Sequence, residues 1–431
     1  MRRPLPDTPE LPFFARKPAA TDRPQRPLAE ELAAFKDFGE KSRQLSVTFE
    51  SFSQERMAMP VFVNEFWTAR QRAANSLHEI SYRACFKPQL PRFFIDRLSA
   101  PGDRIYDPFM GRGTTLLEAA LLGRIPLGCD VNPLSIVLTR PRLTPPFLEE
   151  IAQRLGQIDF TKCEEAPEEL LVFYHRETLD QITALKNYLL NRPDKLDSVD
   201  RWIQLVALNR LTGHSKGFFS VYTMPPNQAV SAKSQQKINE RRKQTPPPRS
   251  VPELILKKSR QLLSQCGTKE RKRLAQVADR ALFLTRSCDS TPQIEPGSVS
   301  LVVTSPPFLN IVDYAGDNWL RCWFLGIDPR TVHLTVPKKM EDWQSVMTRV
   351  FAELARVLKP GGHVAFEVGE VHCGKTRLED AVVPCGHAAN LEPLLVMIND
   401  QKFTKTANCW GVDNNTKGTN SNRIVVFRKR G

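Results

Sequence analysis

The sequence predicts an α/β protein whose mostly parallel sheet is interrupted by a largely helical, basic insertion. Two stretches, residues 104–130 and 281–431, alternate short apolar runs typical of strands with helical patterns, and this alternation is typical of parallel sheets. Between them, residues 141–280 are mostly helical in pattern. The charge is also uneven: the 431-residue chain has a net charge of +14, and residues 201–280 hold 17 lysines and arginines against four acidic residues.

The part before the insertion is predicted to contain an arm, a helical lead-in and the first strands. Residues 1–28 are rich in proline, which predicts a flexible arm. Within residues 29–140 the pattern is helical up to about residue 80. Later elements of this part are a strand that opens at Arg104, a helix at 116–123 and the strand IPLGCD at 125–130.

The insertion is predicted to consist of helices joined by one irregular stretch, after which the sheet resumes in residues 281–431. The predicted helices of the insertion cover 148–157, 178–192, 197–211 and 250–264, and the polar, proline-rich stretch is 213–249. The later elements are strands at 281–289, 299–305, 363–368, about 402–410 and 422–430, and helices at 341–358 and near 391–400.

Composition excludes several classes of protein. The nine cysteines include no Cys-x-x-Cys pair and are odd in number, so we expect reduced thiols and no metal site. The chain begins without the apolar core of a signal peptide, and no run approaches the ~18 apolar residues that span a bilayer. We therefore expect a soluble intracellular protein without a membrane partner. The basic block at 201–280 predicts a polyanionic partner, nucleic acid first, although a solvated helical surface would also explain one charge run.

The stretch IYDPFMGRGTTLLEAA (105–120) combines a strand end, a glycine turn and a helix start. The glycines allow a tight turn and the close approach of a ligand, and the amides at a helix start suit a carboxylate or phosphate. The spacing matches neither the dinucleotide pattern G-x-G-x-x-G nor a P-loop. NAD and ATP are therefore disfavoured, and a dehydrogenase is excluded.

Two further acidic residues follow apolar strands. In GCDVNPLS (128–135), Asp130 lies 17 residues after Gly113, close to the ~20 expected for an acidic residue that binds ribose hydroxyls. A helix N-cap is the alternative role for Asp130. In SCDS (287–290), Asp289 is a candidate partner of an adenine amino group, and a capping or loop aspartate is an alternative of equal weight.

The stretch LVVTSPPFLNIVDY (301–314) ends an apolar strand in two consecutive prolines and an aromatic residue. The exocyclic amine of a nucleobase is a poor nucleophile, because its lone pair is delocalised into the ring. The Ser305 hydroxyl and a rigid backbone carbonyl would accept hydrogen bonds from such an amine, and the prolines limit the orientational cost. Phe308 offers a flat face on which an extruded base can stack. Alone the tetrapeptide would be a turn, but in this fold it predicts catalysis.

Together, DPFMGRGTT, GCDVNP, SCDS and TSPPF resemble the S-adenosylmethionine-dependent DNA amino-methyltransferases of bacterial restriction-modification systems. The Ser-Pro-Pro-Phe version resembles the cytosine-N4 branch of that family. LKPGGHVAFEVGE (358–370) and HEISYRACFKPQLPRFFI (78–95) resemble the family's fifth strand and the segment that precedes its nucleotide loop. The resemblance implies a Rossmann-like methyltransferase sheet with an antiparallel last strand, in which residues 141–280 are the target-recognition domain.

The resemblance also implies S-adenosylmethionine as the cofactor and gives the residues that hold it. Asp130 would meet the ribose and Asp289 the adenine. The residues of the cofactor loop would be Asp107, Phe109, Gly111, Gly113 and Thr114.

By the same resemblance, the methyl group passes directly and in line to the N4 amine of a flipped cytosine in duplex DNA. Ser305 and the Pro306 carbonyl would orient the amine, Pro307 would stiffen the loop, and Phe308 would stack on the base. The candidate DNA-binding residues of the insertion are Arg241, Arg242, Lys243, Lys257, Lys258, Arg271, Lys272 and Arg273. The expected partners are double-stranded DNA and a cognate restriction endonuclease, at the nucleoid in a bacterial cytoplasm.

Three alternatives stay open at this point. An adenine-N6 DNA methyltransferase and an RNA base methyltransferase share the cofactor fold, but both more usually carry Asp or Asn before Pro-Pro. A DNA-binding regulator with an inactive core is the third, and the intact Ser-Pro-Pro-Phe argues against it. A cytosine-C5 mechanism is disfavoured because no cysteine follows a proline in a loop of the required kind.

Overall fold

The computed structural model describes residues 27–67, 74–82, 85–162, 165–224, 229–307, 314–332, 337, 339–368, 370–371, 376–400 and 421–431. The helices and strands of this part of the chain are, in order, α1 Leu28–Ala34, β1 Arg43–Glu50, β2 Arg56–Asn64, α2 Gln89–Leu98, β3 Arg104–Asp107, α3 Thr114–Leu121, β4 Ile125–Asp130, α4 Leu134–Thr139, α5 Leu148–Gln157, α6 Arg176–Leu190, α7 Ser198–Leu208, α8 Ala232–Arg242, α9 Val251–Leu263, α10 Thr268–Ala278, β5 Leu282–Thr285, β6 Val299–Thr304, α11 Tyr314–Leu325, α12 Met340–Val357, β7 Leu358–Val368, β8 Glu370–Val371, β9 Thr376–Arg377, α13 Leu378–Ala388, β10 Leu391–Asp400 and β11 Ser421–Lys429.

The described strands form one large sheet, with β8 and β9 as a separate small hairpin. The order across the large sheet is β1-β2-β10-β11-β7-β6-β3-β4-β5. The five strands from β7 to β5 are mutually parallel, whereas β11 is antiparallel to both of its neighbours. The predicted α/β class, with a mostly parallel sheet and an antiparallel last strand, is confirmed. Because β6, β3 and β4 are adjacent and parallel, their carboxyl ends meet at one edge.

The lead-in predicted to be helical is largely a β-hairpin, so that prediction was wrong. After the short helix α1, the strands β1 and β2 pair antiparallel from Arg43 opposite Val63 to Glu50 opposite Arg56. Their sequences, RQLSVTFE and RMAMPVFVN, carry the β-branched and aromatic residues that fit a pleated surface. β2 also pairs in parallel with β10, so the hairpin extends the sheet.

Residues 391–400, predicted to be a helix, are the strand β10. Pro393 disfavours a helix interior, and Val396 and Ile398 favour a strand. Pairing on both sides, with β2 and with β11, then fixes the extended conformation. The strand predicted at 422–430 is confirmed as β11. The one predicted at about 402–410 lies outside the described residues.

In the described part of the insertion lie the four helices predicted for it, α5, α6, α7 and α9. Two further helices there, α8 and α10, were not predicted. The helix α8 lies inside the stretch predicted to be irregular, where the Ser231 hydroxyl accepts a hydrogen bond from the Ser234 amide at 3.2 Å. Its sequence, AKSQQKINERR, buries only Gln235 and Asn239. A helix without an apolar stripe gives no periodic signal, which is why the pattern did not predict it.

The insertion shares its hydrophobic core with the sheet. One continuous cluster of buried side chains joins Trp202 and Ile203 of α7 to Leu116 of α3 and Phe366 of β7. A second cluster covers the opposite face of the sheet and includes Phe94 of α2. Residues 141–280 are therefore packed into the same folded body as the strands that they interrupt.

Candidate functional site

The sheet edge formed by β6, β3 and β4 brings together three of the predicted motifs. Asp107 is the last residue of β3, Asp130 is the last residue of β4, and Ser305 directly follows β6. In open parallel sheets, ligands bind at the carboxyl ends of the strands. The glycine loop crosses this edge between β3 and α3.

The glycine loop depends on two residues with left-handed backbone conformations. Gly111 has φ of +47° and Gly113 has φ of +72°, and L-residues with a side chain rarely adopt these values. A Cβ at Gly113 would also lie 2.2 Å from the Oγ1 atom of Thr139. Gly113 is therefore required both by its conformation and by the close approach of α4. It stands at the N-cap of α3, where the backbone amides of the first turn face the edge.

Asp130 fastens the glycine loop to the end of β4. Its carboxylate accepts hydrogen bonds from the Gly111 amide at 2.8 Å and from the Asn132 amide at 2.9 Å. Burial raises the pKa of this carboxyl, against the effect of these hydrogen bonds. Asp130 is not a helix N-cap, because Pro133 holds that position in α4. The ribose-binding role of Asp130 stays a prediction.

Asp107 links the glycine loop to the strand β6. It is buried, and it accepts hydrogen bonds from the Thr304 hydroxyl at 2.6 Å and from the Phe109 amide at 3.1 Å. The Thr115 hydroxyl donates to the Val303 carbonyl at 3.0 Å, so a second bond joins α3 to β6. Burial raises the pKa of Asp107 to about 7, and the hydrogen bonds from Thr304 and Phe109 act in the opposite direction.

We expect the free energy of unfolding to fall as the pH rises from about 4 to about 7, because of Asp107. The unfolded chain loses this proton near the ordinary value of about 4, whereas the folded chain keeps it up to about 7. Between these two pH values the native state therefore holds a proton that the unfolded state has lost. The stability that this difference provides at low pH is lost as the pH rises through this range. In Asp107→Asn the slope should flatten by up to ~1.4 kcal/mol per pH unit, as measured by urea unfolding at pH 5, 6 and 7.

The matched control for this experiment is Asp103→Asn, at the other end of β3. Burial acts against it, but the Ala100 amide, the Ser300 hydroxyl and Lys359 together lower the pKa of Asp103. The folded and unfolded chains therefore differ in the protonation of Asp103 only below about pH 4, outside the range from about pH 4 to about pH 7. Equal flattening in both variants, or none in Asp107→Asn, would contradict the assignment.

Ser305 is hydrogen-bonded to a buried glutamate that sequence reasoning missed. Its hydroxyl donates to the carboxylate of Glu367 on β7, and Asn422 donates to the same carboxylate at 3.1 Å. Glu367 is 6 % exposed, and burial raises its pKa. The signal in the sequence was a lone glutamate inside the apolar strand HVAFEV. A buried carboxyl in such a strand needs a partner, and the partner here is the predicted catalytic serine.

The loop that follows Ser305 is anchored by a tryptophan that was also missed. The indole Nε1 of Trp343, on α12, donates to the Pro307 carbonyl at 3.0 Å. Trp343 is 1 % exposed, so this contact is fixed by the core. Ser305 and Pro307 remain half-buried at the edge, whereas Pro306 is buried. Phe308 lies outside the described residues.

Asp289 follows β5, the edge strand next to β4. The strands β3 and β4 separate β5 from β6. Its carboxylate accepts a hydrogen bond from the Ser287 hydroxyl at 2.6 Å and pairs with Arg349 at 3.3 Å. The Ser287 bond, with a smaller contribution from Arg349, lowers the pKa of Asp289. Both carboxylate oxygens thus have partners within the protein, and the adenine-binding role stays a prediction.

Two arginines support the glycine loop from below, and sequence reasoning missed both. Arg112, between the two glycines, donates to the carbonyls of His78 and Ile80. Arg142 is fully buried and donates to the carbonyls of Leu138 and Arg112. Burial, followed by the neighbouring Arg112, lowers the pKa of Arg142 to about 9. The glycine loop is therefore held from the segment 76–82 and from the end of α4.

The eight basic residues predicted to bind DNA lie on three helices or at their ends. Arg241, Arg242 and Lys243 are exposed at the end of α8, and Lys257 and Lys258 lie on α9. The other three lie on α10 and pack beside the amino-terminal half of the chain.

Two of the three candidate residues on α10 bond to backbone carbonyls of the protein. Arg271 donates to the carbonyls of Pro145 and Pro146, and Arg273 donates to the Leu121 carbonyl at 3.5 Å. Leu121 ends α3 at the end farther from the glycine loop. Lys272 is exposed.

In the described part of the chain, no group of three or more histidines, cysteines and acidic residues is placed to hold a metal ion. None of the described helices has both the length and the apolar character that would be needed to cross a membrane.

Comparison with known proteins adds a family relationship. Residues 14–137 match the model of the N6/N4 family, described as DNA methylase. The chain is similar to this family over less than a third of its length. S-adenosylmethionine is the methyl donor of this family, so the predicted cofactor is confirmed at family level. Membership of the cytosine-N4 branch stays a prediction.

Two proteins that are similar to this chain are type II methyltransferases. M.BsoBI of Geobacillus stearothermophilus is 25% identical over 294 residues, which cover 60% of this chain and 54% of that protein. M.MvaI of Kocuria varians is 27% identical over 126 residues, or 28% of this chain and 25% of that protein. The chain thus matches about half or less of the length of these relatives.

Solved structures of similar proteins match less closely. A putative DNA modification methylase of Thermus thermophilus, complexed with S-adenosylmethionine, is 22% identical and covers 32% of this chain and 50% of that one, with a TM-score of 0.19. TrmN from Thermus thermophilus is 12% identical and covers 82% of this chain and 51% of that one, with a TM-score of 0.31.

Proposed function

We propose that this N6/N4 methylase relative transfers a methyl group from S-adenosylmethionine to the N4 amine of cytosine in duplex DNA. The observation that carries the proposal is the hydrogen bond between Ser305 and the buried Glu367. The pair lies at the sheet edge that also holds the glycine loop, Asp107 and Asp130. A polar pair held in this way is suited to act on a reacting group at the edge.

The residues at the edge fit S-adenosylmethionine. Bound there, the cofactor would supply an electrophilic methyl group on a sulfonium. The turn at Gly111 and Gly113 lets a ligand approach the backbone, and the start of α3 offers amides to a carboxylate. Asp130 contributes a carboxyl group suited to ribose hydroxyls, and the buried Asp107 holds the glycine loop against β6.

Ser305 and Glu367 would activate the amine and then remove its surplus proton. Because the Ser305 hydroxyl donates to Glu367, its oxygen keeps lone pairs that can accept an amine hydrogen. After the nitrogen has gained a methyl group, it carries one proton too many. That proton would pass to the Ser305 oxygen as the hydroxyl proton of Ser305 passes to Glu367. Burial raises the pKa of Glu367, which makes it a stronger base than an exposed carboxylate.

The prolines would hold the second acceptor in place. The Pro307 carbonyl is already bonded to Trp343. The adjacent Pro306 carbonyl is the proposed second acceptor for the amine. Phe308 would provide the stacking surface for the flipped base.

Cytosine rather than adenine is proposed because a serine precedes Pro-Pro, as in the cytosine-N4 branch that the motif resembles. The type II relatives and the basic insertion favour DNA as the substrate and a cognate restriction endonuclease as the partner. An enzyme that acts on chromosomal DNA would work at the nucleoid.

The test is transfer of a labelled methyl group from S-adenosylmethionine to duplex DNA, with total RNA offered in a parallel reaction. Label in DNA that depends on Ser305 is the expected result. Label in RNA instead would support the RNA base methyltransferase alternative. Cofactor and DNA binding without any transfer would point to an inactive regulator.

A further inference from the structure

The turn that joins α7 to α8 has no role in the chemistry described above, yet it is tightly built. It runs from Asn209 to Thr223 and contains the sequence GHSKGFFSVYT. The Phe219 amide donates to the Arg210 carbonyl at 2.8 Å, and the Thr223 amide donates to the Gly213 carbonyl at 3.1 Å. A Cβ at Gly213 would lie 2.5 Å from the ring of Phe218. The turn therefore has one defined conformation.

A buried arginine lies beneath this turn. Arg210 is 8 % exposed, and its guanidinium lies 4.0 Å from the centre of the Phe218 ring. It donates to the carbonyls of Asn209 and Gly217, which are neutral acceptors. Its charge is thus solvated by dipoles and a ring and is not neutralised by a carboxylate.

Three more cations surround Arg210. Lys216 is exposed at the tip of the turn, and its carbonyl accepts a hydrogen bond from Arg249 at 2.6 Å. The Nε atom of Arg249 is buried without a hydrogen-bond partner in the described part of the chain. Lys258 of α9 interacts electrostatically with Arg210. Burial, followed by the charge of Arg210, lowers the pKa of Lys258 to about 8, and Glu79 acts in the opposite direction. We call Arg210, Lys216, Arg249 and Lys258 the turn cluster.

Other arginines of the insertion are paired with carboxylates. Arg154 pairs with Asp197 and Asp200, Arg192 with Asp200, and Arg176 with Glu168. In the described part of the chain, no member of the turn cluster has a carboxylate within 4.0 Å. Repulsion within the cluster costs stability, and such charge is left uncompensated where an anionic partner binds.

The turn is also joined to the active edge. The Asn209 side chain accepts from the Ser81 amide at 2.8 Å, and the Ser81 carbonyl accepts from Arg321 at 3.0 Å. Arg321 belongs to α11, the helix that follows the Ser-Pro-Pro loop. The chain after the turn continues along the same helix, where the Val230 carbonyl accepts from the indole of Trp319 at 3.2 Å. An anion on the turn cluster would therefore lie on the side of the insertion that adjoins the catalytic loop.

We propose that the turn cluster binds phosphate groups of the DNA strand beside the target base, an inference that rests on the proposed function. Lys216 and Arg249 contact the phosphates directly, and Arg210 and Lys258 supply charge from below. The basic residues of α10 take no part; Arg271 bonds to the carbonyls of Pro145 and Pro146, and Arg273 to the carbonyl of Leu121. The GHSKG turn would thus contribute to DNA binding.

The experiment measures the affinity of the full chain for a mixed-sequence DNA duplex between about 50 and about 300 mM salt, a range in which such slopes are resolved. The variants are Lys216→Glu and the double variant Lys216→Ala with Arg249→Gln. The slope of log affinity against log salt should become shallower by about 0.9 for each phosphate that is no longer neutralised, so by about 1.8 in the double variant. Lys269→Glu, at an exposed lysine in the first turn of α10, is the matched control and should leave the slope unchanged. Unaltered cofactor affinity in all variants shows that the fold is kept.

The outcomes separate this inference from the proposed function, because methyl transfer is measured in the same samples. Unchanged slopes in both turn variants, with active wild-type protein, overturn the turn cluster and leave the function standing. Shallower slopes in a wild-type background that never methylates DNA keep the cluster and remove the function. Tighter binding to a matched RNA than to DNA, or a slope change in Lys269→Glu as large as in Lys216→Glu, also overturns the inference.

Discussion

Replacing Ser305 by alanine is expected to lower the rate of methyl transfer about 10²–10³-fold, the scale for loss of one preorganised polar group at a reacting centre. The variant loses both the acceptor for the amine and the link to Glu367. Cofactor affinity, measured by calorimetry, should be nearly unchanged, because Ser305 takes no part in the hydrogen bonds that hold the glycine loop. The rate is measured from label incorporated into duplex DNA in a single turnover.

The matched control is Ser300→Ala, at the opposite end of the same strand. Ser300 is also a buried serine, and it donates to Asp103 at 2.6 Å. This variant should lose stability, on the order of 1.5–3 kcal/mol for a hydrogen bond to a charged group, but keep its turnover. The double variant Ser305→Ala with Glu367→Gln should be about as slow as the slower single variant, because the two residues act as a unit. Additive losses would show that they act independently.

Replacing Gly113 by alanine is expected to abolish most cofactor binding. The left-handed backbone costs a residue with a Cβ roughly 1–2 kcal/mol, and overpacking in a filled site costs roughly 1–3 kcal/mol more. The new methyl group would meet the Oγ1 and Cγ2 atoms of Thr139 at 2.2 and 2.6 Å, so α4 or the loop must move. Since Asp130 holds the same loop through the Gly111 amide, the displacement should reach the cofactor site.

Two further variants test this steric reason. Adding Thr139→Ala to Gly113→Ala removes both of the closest contacts and should recover part of the cofactor affinity. Gly156→Ala, in α5, places a methyl group with no atom within 4 Å and should keep full affinity. If Gly113→Ala binds the cofactor as tightly as the wild type does, the glycine loop is not the cofactor site.

The sequence predicted the strand-end motifs because each is a local signal. Asp107, Asp130 and Ser305 each follow a short apolar run, and the paired glycines announce a turn within a few residues. The structure brings all of them to one edge, as parallel strands require. Phe308 alone among the predicted catalytic residues falls outside the described part of the chain.

The supporting residues were not predictable in the same way, because their roles depend on partners far along the chain. Glu367 lies on β7, next to the strand β6 that Ser305 follows. Trp343 contacts Pro307 from the helix α12. Arg142 looks like an ordinary surface arginine in the sequence, yet it is fully buried under the glycine loop.

The β-hairpin and β10 were missed for a related reason. β2 and β10 pair with each other from opposite ends of the chain, and this pairing decided their conformation over local propensity.

The most direct test of the central claim is mass spectrometry of nucleosides from duplex DNA that the purified protein has methylated in vitro with S-adenosylmethionine. The expected product is N4-methylcytosine, strongly reduced in DNA treated for the same time with the Ser305→Ala variant. N6-methyladenine or 5-methylcytosine in its place would contradict the assignment of the target atom.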